Sequence, residues 1–219
     1  MAPVNRPFPR FIAESPHELE PHGRWRSMLE DLFRTACGSI EGDEELGELG
    51  EIVWFPDRTY GIRTFVPARA PTAGGPEVFG YVSFTRTEES PQPADFVARA
   101  DYTVETAADN PDWKLDLNDD VIAPWRGPAD STGDLTLVWG TPLVPGAVAV
   151  TAEIENETLD QCALDQHKRF TLVALDAVTE FGDDLFLEIK LWNKRGDLLA
   201  SETLYEEGSE EVEEETEPG

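Results

Sequence analysis

The sequence predicts a mainly β protein, at the margin of α+β: an antiparallel up-and-down β-barrel or sandwich of about nine to ten strands behind one N-terminal amphipathic helix. Three observations carry this. Short β-prone runs separated by Pro, Gly, Asn and Asp follow one another from about residue 51 to residue 205. No helical stretches separate those runs, which excludes the crossovers that parallel sheets need. One helix-period stripe precedes them all.

Ser15-Pro16-His17-Glu18 has the form of a capping box with proline at the first helical position, and Pro21 and Gly23 then interrupt it. A longer helix is expected from Arg24 to Ala36. There Trp25, Met28, Leu29, Leu32, Phe33 and Ala36 form one apolar stripe, and Gly38 is placed to end the helix. Such a stripe packs on a core; a cofactor groove is its alternative use.

After the acidic segment Glu41–Gly50, runs at Glu51–Phe55 and Thr59–Val66 flank the turn former Pro56-Asp57-Arg58. A Pro/Gly-rich loop, Pro67–Pro76, leads to a strand at Val78–Arg86. In Phe96–Glu105, the residues Phe96, Ala98, Ala100, Tyr102 and Val104 alternate with Val97, Arg99, Asp101, Thr103 and Glu105, giving one buried and one wet face. Trp113–Leu117 is a further short strand, and an irregular stretch is expected from Asn118 to Gly133. Leu135–Trp139, Val148–Ile154 and Phe170–Val178 continue the series. Leu185–Trp192 and Leu198–Tyr205 make a hairpin around Asn193-Lys194-Arg195-Gly196-Asp197. A faint echo between the halves, each with a Trp-bearing strand (Trp54, Trp139) and a Pro-rich connection, allows two packed β lobes instead. The organisation expected is a flexible arm at 1–14, a single β-rich domain at 15–205 and a disordered acidic tail at 206–219.

Charge bounds the partners. The chain of 219 residues carries 45 Asp+Glu against 17 Lys+Arg, a formal net charge of −28. The stretch Glu206–Glu217 holds eight acids and no base, and without it the balance is still 37 against 17. Such a surface repels phosphate backbones and anionic membranes, so neither nucleic acid nor membrane is an expected partner. With 40% hydrophobic residues, 11 Phe and 6 Trp, the acidity belongs to the surface of a chain that has a core. No secretion signal or membrane span is visible, so a cytoplasmic location is expected. Cys37 and Cys162 accordingly read as reduced thiols.

Motifs for chemistry are scarce. His17 and His22 are five apart with a proline between them, whereas a helical zinc pair needs four. Asp116, Asn118 and Asp120 match the first oxygen ligands of a calcium loop. Val121 and Gly127 stand where its glycine and bidentate glutamate belong, so a solvated acidic segment is the expectation and no metal is assigned. There is no nucleophile elbow and no phosphate-binding glycine loop. Neither a catalytic residue nor a cofactor is predicted. Asn156-Glu157-Thr158 and Arg195-Gly196-Asp197 are short motifs whose plain reading is surface and turn.

What remains is aromatic–arginine clustering in predicted turns: Trp54, Arg58 and Tyr60 around the first, Trp125 and Arg126 between Pro124 and Gly127-Pro128. Trp, Tyr and Arg combine contact area with directed polarity, which makes them binding residues; their other use is to plug the ends of a β core. The sequence therefore favours a binding or scaffolding protein acting through protein–protein contacts, with a basic partner suited to the acidic surface and homo-oligomers open through strand edges. A small-molecule carrier with the barrel interior as its pocket is one alternative, and a carboxylate- or metal-dependent enzyme is another. Mimicry of nucleic-acid charge follows from acidity alone.

Overall fold

The computed structural model describes residues 23–42, 44–86, 92–126, 132–178 and 186–204; for 24, 125, 126, 132 and 176–178 the description is of backbone only. The expected arm at 1–14, the capping box at 15–18, His17, His22 and the tail at 206–219 lie outside these residues.

A 3₁₀ turn, Gly23–Trp25, runs into α1 (Arg26–Cys37). Twelve strands follow among the described residues: β1 (Val53–Trp54), β2 (Arg58–Tyr60), β3 (Arg63–Pro71), β4 (Glu77–Thr85), β5 (Ala94–Thr103), β6 (Leu115–Arg126), β7 (Thr132–Pro142), β8 (Ala147–Ile154), β9 (Glu157–Ala163), β10 (Phe170–Val178), β11 (Leu187–Asn193) and β12 (Leu198–Leu204). They form three antiparallel sheets. Sheet 1 has the order β1-β3-β4-β5 with β2 also on β3, sheet 2 the order β10-β7-β6, and sheet 3 the order β12-β11-β8-β9. The sheets do not close, so the barrel expectation is corrected: each keeps free edges.

The layers follow from which side chains meet. Leu29 and Phe33 of α1 pack on Trp54, Val66, Ala68, Val78, Val82 and Phe84 on one face of sheet 1. The other face of sheet 1, through Phe65, Phe79 and Tyr81, meets Leu135, Leu137, Trp139 and Val173 of sheet 2. The opposite face of sheet 2, through Leu115, Val138, Phe170 and Leu172, meets Val150, Ala152, Ile189 and Leu191 of sheet 3. Period-2 alternation along β7 and β10 feeds both interfaces, which is why these strands read as continuous apolar runs. Of the helical stripe, Leu29 and Phe33 are buried in the core, while Trp25, Met28, Leu32 and Ala36 are half-buried.

Three expectations about strands are revised. The run Thr59–Val66 is broken by a hairpin: Tyr60 pairs with Arg63, and Gly61, at φ +60°, supplies the left-handed first position that a two-residue turn of this kind requires. The expected loop at Pro67–Pro76 is strand as far as Pro71. Pro67 is tolerated because it faces the gap between β1 and β2, where Phe55 N–H donates to its carbonyl (2.9 Å) and no N–H is asked of it in return. The expected irregular stretch 118–133 is mostly strand, since β6 is a sheet edge and an edge accepts Pro124. β9 was not expected at all.

Candidate functional site

The site forms where two sheet edges lie side by side. β5 ends sheet 1, β6 ends sheet 2, and α1 lies against β5. On β5, Phe96, Ala98, Ala100 and Tyr102 turn toward α1, while Val97, Arg99 and Asp101 occupy the wet face that the alternation predicts. A cavity of about 650 Å³ opens here, lined by Leu32, Thr35, Ala36 and Ser39 of α1, by Phe79 and Gly80 of β4, by Ala98–Asp101 of β5, by Asp119 and Asp120 of β6 and by Trp139 of β7. Gly80 is needed for this shape. A Cβ there would overlap the carbonyl oxygen of Arg99 on the neighbouring strand.

Three carboxylates, Asp101, Asp119 and Asp120, and one guanidinium, Arg99, line the cavity. Arg99 Nη1 stands 3.9 Å from Asp120 Oδ2, too far for a hydrogen bond, and the Tyr81 hydroxyl lies near the Asp120 carboxylate. Burial raises the pKa of Asp120, offset in part by Arg99. Burial also pushes the Tyr81 phenol up to about 12, with Asp120 adding to the effect. Deeper between sheets 1 and 2, Arg69 pairs with Asp116 and lies 3.6 Å from Glu77, whose pKa burial raises. The guanidiniums of Arg69 and Arg169 both lie over the Phe55 ring, at 5.5 and 6.0 Å from its centroid.

One cross-strand row of sheet 2 stands out. Asn118, Trp139 and Thr171 are register partners across β6, β7 and β10, and all three are buried. Among the described residues, Asn118 Oδ1, Trp139 Nε1 and Thr171 Oγ1 have no hydrogen-bond partner. Buried polar atoms are rarely left so. Trp139, fully buried, packs its ring 6.2 Å from that of Phe79, and both rings belong to the cavity wall.

The residues singled out from sequence do not assemble into one patch. Trp54 is 6% exposed and packs on Phe33 of α1 (5.9 Å between rings), so its place is in the core. Arg58 is engaged by Asp160 of β9, whose other oxygen accepts from Val173 N–H (2.9 Å); one carboxylate thus ties sheets 1, 2 and 3 together. Tyr60 is 47% exposed at the β2–β3 hairpin, next to Ile62 at 61%. Trp125 and Arg126 end β6, paired with Gly133 and Thr132, rather than lying in a loop, and their side chains are outside the described residues. Asp116, Asn118 and Asp120 alternate along an extended strand, about 6.6 Å from each to the next. That spacing cannot wrap one cation at calcium distances, and no metal-holding group of three occurs among the described residues.

The cysteines are unpaired and sit in different layers, Cys37 at the C-terminal end of α1 against the α1–sheet 1 core and Cys162 against the sheet 2–sheet 3 core. Burial pushes their thiols up to about 11 and about 12. Sequence reasoning missed Arg99, Asp101, Asp119, Asp120 and Trp139 as a group. The alternation in β5 placed Arg99 and Asp101 on an exposed face, but no sequence signal brings the edges of β5 and β6 together.

No family model, curated protein or solved structure matches the chain. Among the described residues no helix is long and apolar enough to cross a membrane.

Proposed function

We propose that this is a non-enzymatic binding protein that takes a positively charged partner into the cleft between α1, β5 and β6. The observation that carries the reading is convergence: three carboxylates against one guanidinium line a cavity that Trp139 also borders, and among the described residues the buried indole N–H of Trp139 has no partner. Aromatic walls beside carboxylates suit an organic cation, which gains both charge pairing and ring contact. The acidic body of the chain adds long-range attraction for such a partner and repels anions. The test is a titration of the ¹⁵N-labelled full chain with the peptide acetyl-Arg-Ala-Arg-Ala-Arg-amide and with its Glu-for-Arg counterpart. The indole N–H resonance of Trp139, assigned through Trp139→Phe, is expected to move with the first peptide and stay with the second. Equal response to both, or to neither at millimolar concentration, overturns the reading.

The same convergence of acids favours a second reading, a carboxylate-dependent hydrolase, because paired carboxyl groups in different environments divide acid and base roles. Binding ranks ahead because Arg99 and Tyr81 already lie near Asp120 and, among the described residues, neither histidine nor cysteine lines the cavity. Turnover of a fluorogenic glycoside panel that vanishes in Asp120→Asn would reverse the order.

A further inference from the structure

The lining of the cleft says more than its charge does. Four consecutive residues of β5, Ala98 to Asp101, border one cavity, although their side chains leave the sheet on opposite faces. A space that touches both faces of a strand wraps around its edge. That edge is open: among the described residues β4 is the sole strand hydrogen-bonded to β5. On one side the space is roofed by α1; on the other it is bounded by Asp119 and Asp120 of β6. The slot is therefore shaped for a strand lying beside β5.

We infer that the partner enters as an extended peptide segment that adds a strand to the free edge of β5, with arginines at every second position turned toward Asp101 and Asp120 and small residues between them turned toward α1. This rests on the cationic-cleft reading above and specifies the form of its ligand. Edge strands offer unpaired N–H and C=O groups at a repeat that an incoming strand matches, so the main chain supplies affinity and alternate side chains supply specificity. The two sides of the slot differ as that alternation demands. Toward α1 the walls are Leu32, Thr35, Ala36 and Ser39 with Ala98 and Ala100, all but Leu32 short; toward β6 they are carboxylates, with Arg99 3.9 Å from Asp120, the half-buried Phe79 ring behind them and Trp139 buried beneath it. Arginine suits the second side because its planar guanidinium pairs with carboxylates and stacks on rings. Four residues of β5 span about 13 Å, room for two arginines and the residues beside them.

The test separates the strand from the charge. The ¹⁵N-labelled full chain is titrated with acetyl-Arg-Ala-Arg-Ala-Arg-amide, with the same peptide N-methylated at both alanines, with the peptide N-methylated at its arginines, and with spermidine. Hydrogen exchange is followed at the amides of β5 and β6. The expected result is that one of the two N-methylated peptides loses binding at least about tenfold, that spermidine binds no better than that peptide, and that alternate amides of β5 gain protection. Asp101→Asn with Asp120→Asn should weaken the parent peptide by about tenfold while the unliganded spectrum elsewhere stays in place. Equal binding of all three peptides and spermidine, without protection on β5, overturns strand addition and leaves the cationic cleft standing as a small-cation site. Protection on β6 instead of β5 also overturns the inference. No binding by any of the four removes both readings together.

Discussion

On the face of sheet 2 that meets sheet 3, Leu115, Val138, Phe170, Leu172 and Ala174 close on Val150, Ala152, Leu187, Ile189 and Leu191. On the face that meets sheet 1, large aromatic and aliphatic groups are mixed with Arg69, Asp116, Asn118, Thr171 and the neighbours Tyr81 and Asp120. The two interfaces share the same strands, so the difference arises residue by residue from alternate positions of β6, β7 and β10. The first interface gains chiefly from apolar burial, with the Asp160–Val173 hydrogen bond at its margin. The second, among the described residues, leaves Asn118 Oδ1, Trp139 Nε1 and Thr171 Oγ1 without partners and holds Glu77 and Asp120 where burial raises their pKa, which costs stability. Sheet 2 thus packs on apolar groups from one side and on mixed polar and apolar groups from the other.

Truncation should expose that contrast most strongly on the apolar side. Phe170→Ala empties a site with no exposure and should cost about 3–5 kcal/mol in urea denaturation. The peptide affinity of the fraction that stays folded should be unchanged. A loss well under that range would mean that the sheet 2–sheet 3 interface relaxes into the cavity. On the mixed side, Arg69→Met removes the guanidinium from Asp116 and Glu77 and leaves carboxylates buried without it, at a cost of about 3 kcal/mol. Adding Asp116→Leu should recover most of the loss, because an apolar pair replaces an ion pair at little net cost. If the double variant is no better than the single, Arg69 acts by packing on Phe55 and not by charge.

The sequence made the apolar interface far more legible than the mixed one. The apolar runs Val148–Ile154 and Phe170–Val178 and the last hairpin are the direct imprint of burial, and those strands lie where the runs put them. β9 escaped because it is an edge strand with Glu157, Thr158 and Leu159 exposed, so no apolar period marks it. Its hairpin turns on Glu155 and Asn156, both at positive φ, without the glycine that would announce such a turn. Pro67, Pro71 and Pro124 read as loop punctuation because the positions that excuse them, a gap between neighbours and a sheet edge, are properties of pairing. The cleft was hidden for a similar reason. In a chain with 45 acids, Asp101, Asp119 and Asp120 are indistinguishable from the rest until two sheet edges are laid together.

Gly80→Ala tests whether that juxtaposition matters. The added Cβ presses on Arg99 O and Ala100 Cα, so β5 must move away from β4, at an expected cost of about 1–3 kcal/mol by thermal denaturation. Because Arg99, Ala100 and Asp101 border the cleft, peptide binding should fall with it. Gly140→Ala is the matched control: its Cβ would crowd Asp116 O and Phe170 inside sheet 2, at similar cost. Comparable loss of binding in both variants would show that affinity tracks global stability and not the position of β5.

The smallest effect is the most diagnostic, because its sign differs between stability and function. The Asp120 carboxyl titrates above its ordinary value of 3.8 when folded, chiefly through burial. In the window above that value the folded state holds more proton than the unfolded chain, so the contribution of Asp120 to stability is full below it and declines as pH rises through the folded pKa. Asp120→Asn keeps an acceptor for Tyr81 and removes the charge. Its melting temperature should therefore exceed that of the parent at pH 7, and the gain should shrink toward zero near pH 3, where the parent carboxyl is protonated in both states. Peptide binding should weaken at pH 7 in the same variant. A group that is harmful to the fold and useful to the ligand is what a binding site leaves behind when it is empty. A melting temperature lowered at pH 7 would instead assign Asp120 to Tyr81 and Arg99 as a structural partner, and the contrast between the two faces of sheet 2 would lose its functional half.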